Sequence, residues 1–227
     1  MEVKELEAAY RRILCPDRIW NCVEIENAQN HYLWCSINPS DGEGIPTFNM
    51  NWNELASDGY WRKLKEKIKN HLNEFGHIDL FPIHCSAQRE FLKKYRGKEG
   101  STEFIRFVEL LKVTQLFIED LQPKLIVYSN VSTRHLWGWP KKDWMGYILK
   151  PVSLPFSVDS GRISRHPKDS LFKITGINNS SLVIKEEKST QLVDTYILFD
   201  NQNNNHFGHP EISDKDLDRI IAFVNKK

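Results

Sequence analysis

The sequence predicts an α/β domain, a three-layer sandwich around a mainly parallel four-stranded sheet with an inserted β-hairpin. Three observations carry that expectation. Strand-length apolar runs alternate with helical stretches in the order strand, helix, strand, helix, strand, which requires parallel pairing through right-handed crossovers. The first of these runs, HYLWCSI, is apolar without clean alternation, as in a strand covered on both faces. The 227 residues, 40% of them hydrophobic, suffice for one sizeable core, so residues 1–227 are read as a single domain.

Leu6, Ala9, Tyr10 and Ile13 recur at helical spacing, and Pro16 and Asp17 interrupt that first helix. The strand at 31–37 stops abruptly at Asn38, Pro39, Ser40, Asp41 and Gly42. Residues 60–75 place Leu64, Ile68, Leu72 and Phe75 on one stripe with lysines opposite, a helix for which Gly76 is a natural stop. HIDLFPIH follows as a second strand, 102–121 as a helix, and KLIVYSN as a third strand. Residues 137–190 change to Pro, Gly and Ser punctuation around LFKITGI and SLVIKEE, which Asn178, Asn179 and Ser180 separate, the pattern of an inserted hairpin. DTYILFDN is the last strand, and 214–225 the last helix, capped by Ser213 with Asp216 three residues on.

Lys and Arg number 31 against 30 for Asp and Glu, so a polyanion site has to come from local clustering. Cys15, Cys22, Cys35 and Cys85 lack CxxC spacing and disulfide density, which predicts reduced thiols in a cytoplasmic protein. The charged N-terminal pattern and the absence of an 18-residue apolar run predict no export signal and no membrane span. No His or Cys pair has metal-ligand spacing, and neither metal nor cofactor is expected.

Open parallel sheets bind ligands beyond the carboxyl ends of their strands. Four loops lie there: 38–44, 79–84, 129–132 and 206–213. An Asn, an Asp, a hydroxyl cluster and a His are thus expected to face one pocket although they are far apart in sequence.

Within this frame SINPS, residues 36–40, resembles the first active-site motif of uracil-DNA glycosylases, which reads GINPG or GMNPG in some branches and GQDPYH in another. HPEIS, 209–213, is similar to the HPS-type second motif before the final helix, and IDLFPIH resembles the strand that supplies a base-reading Asn. The likeness spans roughly residues 32–223. It implies a glycosylase-like hydrolase of the N-glycosidic bond of a modified base, a monomer acting on DNA or a nucleotide. Asn38 would orient water, His209 would donate to the departing base, and Phe48 would stack on it. Ser36, Ile37, Pro39, Asp79, Ser129 and Asn130 would line the pocket. Ser36 and Ser40 stand where the family has glycines, Glu211 where it has the Ser of HPS, and Asp79 at the base-reading position.

Each assignment has an alternative. Asn38 suits an ordinary turn, His206 competes with His209, and Phe48 can be core with Trp52 stacking instead. An ionised Asp79 only accepts hydrogen bonds, so it calls for an amino- or imino-bearing base unless it stays protonated. The basic clusters at Lys93, Lys94, Arg96 and Lys98, at Lys141 and Lys142 between Trp139 and Trp144, and at Arg162, Arg165 and Lys168 suit solvated faces better than a phosphate backbone. Two further function classes stand beside the hydrolase: a catalytically silent nucleic-acid or nucleotide-binding module, and an unrelated small-molecule α/β protein.

Overall fold

The structure is a computed structural model. It describes residues 1–14, 22–37, 48–55, 59–83, 93, 99–140 (131 and 132 by backbone only), 144–158, 171–178, 189–200 and 212–227. Four α-helices among these are α1 (Val3–Leu14), α2 (Gly59–Ile68), α3 (Thr102–Leu121) and α4 (Asp214–Val224). The strands are β1 (Cys22–Val23), β2 (Tyr32–Ser36), β3 (Asn49–Met50), β4 (Phe75–Asp79), β5 (Leu125–Tyr128), β6 (Tyr147–Pro151), β7 (Leu171–Ile177) and β8 (Tyr196–Phe199). They form one mixed sheet in the order β3-β1-β4-β2-β5-β8-β7-β6.

The middle of that sheet is parallel: β2 pairs with β4 and β5, and β5 with β8. All five residues of β2 are buried, as its continuous apolar run requires. Their side chains alternate between two cores. Leu33 and Cys35 join Leu6 and Tyr10 of α1 and Phe107, Leu111 and Ile118 of α3. Tyr32 and Trp34 join Trp61, Leu64 and Ile68 of α2 and Leu217, Ile220 and Ile221 of α4. Helices therefore cover both faces.

The termini of two helices obey the chemistry of their caps. Ser101 accepts from the Phe104 N–H at 3.2 Å, and Ser213 from the Asp216 N–H at 3.1 Å, each satisfying an amide that the first helical turn leaves open. The buried carboxylate of α3 is matched in the same way. Glu119 accepts from the Tyr147 and Thr190 hydroxyls at 2.8 and 2.6 Å and from the Gln191 N–H at 2.7 Å, tying the helix to β6 and to the approach to β8.

Three expectations change. Among the described residues the sheet has eight strands rather than four, because the two-residue strands β1 and β3 extend one side and β6 and β7 the other. Strands that short carry no periodic signal, and β6 ends in exposed Lys150 and Pro151. LFKITGI does form a strand, but it pairs antiparallel with β6 and β8; SLVIKEE lies outside the described residues. The helix at 60–75 ends at Ile68 and continues as a 3-10 turn, Lys69–Glu74, in which His71 leaves helical geometry at φ −133°. Phe75 and Gly76 belong to β4, where they pair with Tyr32 and Leu33. Gly76 is needed for closeness and not as a helix stop: a Cβ there would lie 2.8 Å from the Ile25 backbone. No helix is long and apolar enough to cross a membrane among the described residues.

Candidate functional site

The parallel register sets four polar residues in a row at the carboxyl ends of adjacent strands. Ser36 closes β2 opposite Asp79, which closes β4. Cys35 pairs with Tyr128 and Tyr128 with Phe199, so the next residues, Ser129 and Asp200, continue the row. Backbone bonds hold the extension: Ser129 N–H donates to Cys35 O, Asp200 N–H to Tyr128 O and Leu80 N–H to Ser36 O, each at 2.9 Å. Because side chains alternate along a strand, Asp79, Ser36, Ser129 and Asp200 fall on the face whose preceding residues, such as Trp34, Val127 and Leu198, pack against α2 and α4. All four are buried, none more than 7% exposed.

The two hydroxyls sit at the centre of a network. The Ser36 hydroxyl is 2.9 Å from those of Ser129 and of Tyr60 at the start of α2, and 3.4 Å from His77 Nε2. Trp61 packs edge-on against the His77 ring at 4.9 Å between centroids. Burial alone holds His77 down to about 3, so its imidazole is neutral near pH 7. Burial, helped by the neighbouring Asp79 carboxyl, pushes the Tyr60 phenol up, and the Cys35 thiol rises for the same two reasons.

The carboxyls at the two ends of the row live in opposite surroundings. Asp200 is 3.4 Å from the ammonium of buried Lys67 and accepts from the Ile212 N–H at 3.0 Å, and Lys67 lies over the Trp34 ring at 5.7 Å. Asp79 Oδ2 is buried and makes no hydrogen bond among the described residues. Removed from water, its carboxyl is raised well above the usual carboxylate range. A neutral acid there offers both a donor and an acceptor, whereas an ionised one only accepts.

Ser36, Asp79 and Ser129 are thus brought together. Asn130 is buried beside them and opens the 3-10 turn Val131–Trp137, its carbonyl accepting from the Thr133 N–H at 3.2 Å. Ile37 turns its side chain to the opposite core while its carbonyl accepts from the Phe81 N–H at 3.0 Å. Phe48 is not brought to the row: it is buried on the α1 and α3 side, 6.1 Å from the Tyr10 ring. Trp52 is core as well, its indole N–H donating to Phe75 O at 3.0 Å. Asn38, Pro39, His206, His209 and Glu211 lie outside the described residues, as do the named basic residues other than exposed Lys93. Trp139 and Trp144 pack against Phe172 and Phe107.

His77, Tyr60, Lys67 and Asp200 were not singled out from the sequence. Signals for three of them were present. His77 precedes Asp79 by two, so a strand puts both on one face; Lys67 sits three residues after Leu64, on the apolar stripe of its helix; Asp200 follows four strand residues without a break. The sequence matches no protein-family model and no curated protein.

Proposed function

We propose that the protein is a DNA glycosylase-like hydrolase that cleaves the N-glycosidic bond of a modified base, acting as a monomer on DNA or a nucleotide. The observation that carries this reading is the polar row itself: Asp79, Ser36, Ser129 and Asp200 occupy the carboxyl ends of four adjacent parallel strands on one face. That edge is where an α/β sheet offers a ligand site. The parallel core with helices on both faces supports the three-layer arrangement that the INPS and HPEIS motifs imply.

Asn38 follows Ser36 by two residues, and His209 precedes Ile212, whose N–H is held by Asp200, by three. Both candidate residues are thus sequence neighbours of residues that border the row. In the mechanism, Asn38 orients water toward the anomeric carbon while His209 donates to the base as negative charge builds on it. Ser36, Asp79, Ser129 and Asn130 form the floor against which the base rests. Tyr60 and Trp61, on the same face as the row, are better placed to contact an extruded base than Phe48 is.

A second reading, a binding module without chemistry, is favoured by one observation. Ser36 replaces a small glycine and its hydroxyl is already engaged with Ser129 and Tyr60. The test is incubation of the pure protein with single- and double-stranded oligonucleotides carrying uracil, hypoxanthine or other lesions, followed by alkaline cleavage at abasic sites. Cleavage that falls by about 10² or more in Asn38→Ala is the result expected of the hydrolase. Lesion-dependent binding without abasic sites would move the assignment to the module.

A further inference from the structure

We infer that a cavity at the opposite, amino edge of the sheet is a separate binding site for a small phosphate monoester, held by Lys124 and Lys173. The inference is independent of the reaction proposed for the strand-end row. The cavity has a volume of about 370 Å³, within the range of small-molecule sites. Its lining comes from the approaches to three parallel strands: Asn30 stands two residues before β2, Lys124 immediately before β5 and Thr195 immediately before β8. Lys173 of β7 joins them because it lies opposite Tyr196 in the antiparallel register. Val224 and Asn225 close the space from the end of α4.

These walls are fixed by the backbone. The Thr195 hydroxyl donates to Pro123 O at 2.8 Å and the Tyr196 N–H to Lys124 O at 2.9 Å, which joins the approaches to β5 and β8. Asn30, Gln122 and Asp194 all border the cavity and all have left-handed backbone, at φ 61°, 49° and 77°. Each is held there by its own N–H, which donates to Leu121 O, Ile118 O and Ile174 O respectively. Side-chain-bearing residues keep that conformation only where the surroundings impose it, so the lining is preorganised.

Charge and donor geometry choose the ligand. The lining side chains include the ammonium groups of Lys124, Lys173 and Lys227 against one carboxylate, that of Asp194. The carboxyl ends of α3 and α4 lie at the same edge, where lysines are favourable without any ligand. Their carbonyls are nonetheless capped from within: Leu121 O accepts from Asn30, and Val224 O from the Lys227 N–H. Lys173 belongs to neither helix end. Its ammonium is 2.8 Å from Asp194, whose side chain is 75% exposed, and an exposed pair of this kind is weak enough to yield to a second anion. The Lys124 ammonium joins no ion pair among the described residues. Asn225 keeps one amide hydrogen for a ligand after donating to the Tyr32 hydroxyl at 2.7 Å.

A phosphate monoester fits these donors best. It carries nearly two negative charges and three acceptor oxygens at neutral pH, which rotatable ammonium groups on different elements approach from different sides. A carboxylate offers one charge and two oxygens in a plane, and a phosphodiester one charge. The esterified group has apolar surface to rest on, since Val193 is half exposed beside Pro123 and Val224. That surface favours an ester over free phosphate.

The experiment uses the full chain and probes without a nucleobase, so that the strand-end row is not addressed. Phenyl phosphate, inorganic phosphate, benzoate and an unmodified single-stranded oligonucleotide without a terminal phosphate are titrated by calorimetry, and phenyl phosphate also by backbone amide resonances. Phenyl phosphate should bind at least about tenfold more tightly than benzoate or inorganic phosphate, and the double variant Lys124→Gln with Lys173→Gln should lose at least about tenfold, as expected for two charge-assisted hydrogen bonds. Lys150→Gln, at an exposed lysine of β6, should bind as the parent does. Resonances of Lys124, Lys173 and Tyr196 should move while those of Ile37, Leu80, Asn130 and Ile212 stay. Benzoate binding as tight as phenyl phosphate, unaltered binding by the double variant, or no shift at the three amino-edge amides would each overturn the inference. Equal binding of inorganic phosphate would overturn the ester, and tighter binding of the oligonucleotide at the same amides would reassign the site to a nucleic-acid backbone.

Discussion

At the scale of single residues, the acid and the imidazole of β4 set opposite pH dependences. His77 has an ordinary value of 6.5 and is held down to about 3, so between those values the unfolded chain binds the extra proton. Stability due to His77 is present above about 6.5 and is lost as pH falls toward 3. Asp79 is raised from 3.8, so above that value the folded chain holds the extra proton and stability is lost as pH rises through its folded value. The two slopes oppose each other in the window from about 4 to 6.5. Asp79→Asn, similar in shape to the neutral acid, should therefore uncover the rising slope of His77, up to about 1.4 kcal/mol per pH unit. It should also melt higher than the parent at pH 8. Melting curves from pH 4 to 9 check this; parallel profiles for the two proteins would show that Asp79 is ionised in the fold.

The elements were readable from the sequence to the extent that each had a period or a cap. The strand run HYLWCSI, the long helix after Ser101 and the helix after Ser213 match β2, α3 and α4, because burial and capping act within a few residues. The helix at 60–75 failed where tertiary pairing overrode local pattern: Phe75 is drawn into register with Tyr32, and Gly76 must let the 3-10 turn Ile25–Ala28 approach. Gly76→Ala should accordingly cost about 1 to 3 kcal/mol, visible as a drop in urea midpoint at unchanged slope. Ser213→Ala should cost about 1 kcal/mol by freeing the Asp216 N–H. In α3, Glu119→Gln exchanges a carboxylate that accepts from two hydroxyls and an N–H for an amide with one acceptor. A loss of about 1 to 3 kcal/mol is expected from the donors left unmatched. Wild-type stability of that variant would mean that water or neighbouring groups replace the carboxylate without loss.

For the whole molecule, the strand-helix alternation predicted the parallel middle of the sheet, and the expectation of polar residues at its carboxyl edge followed from the same alternation. Ser36, Asp79 and Ser129 were readable because each ends or follows an apolar run. Lys67 and Asp200 were harder, since the ion pair joins residues 133 apart and only the fold brings them together. Phe48 illustrates the opposite limit, in which spacing from a motif places an aromatic near a site while packing takes it to the other core. The opposite edge of the sheet offers a competing location, a cavity of about 370 Å³ lined by Asn30, Lys124, Lys173, Asp194 and Tyr196. The claim that the carboxyl edge is the ligand site is tested most directly by following backbone amide resonances during titration with a single-stranded oligonucleotide carrying uracil. Shifts should concentrate at Ile37, Leu80, Asn130 and Ile212, which border the polar row; shifts confined to Lys124, Lys173 and Tyr196, with those four unmoved, would contradict the account.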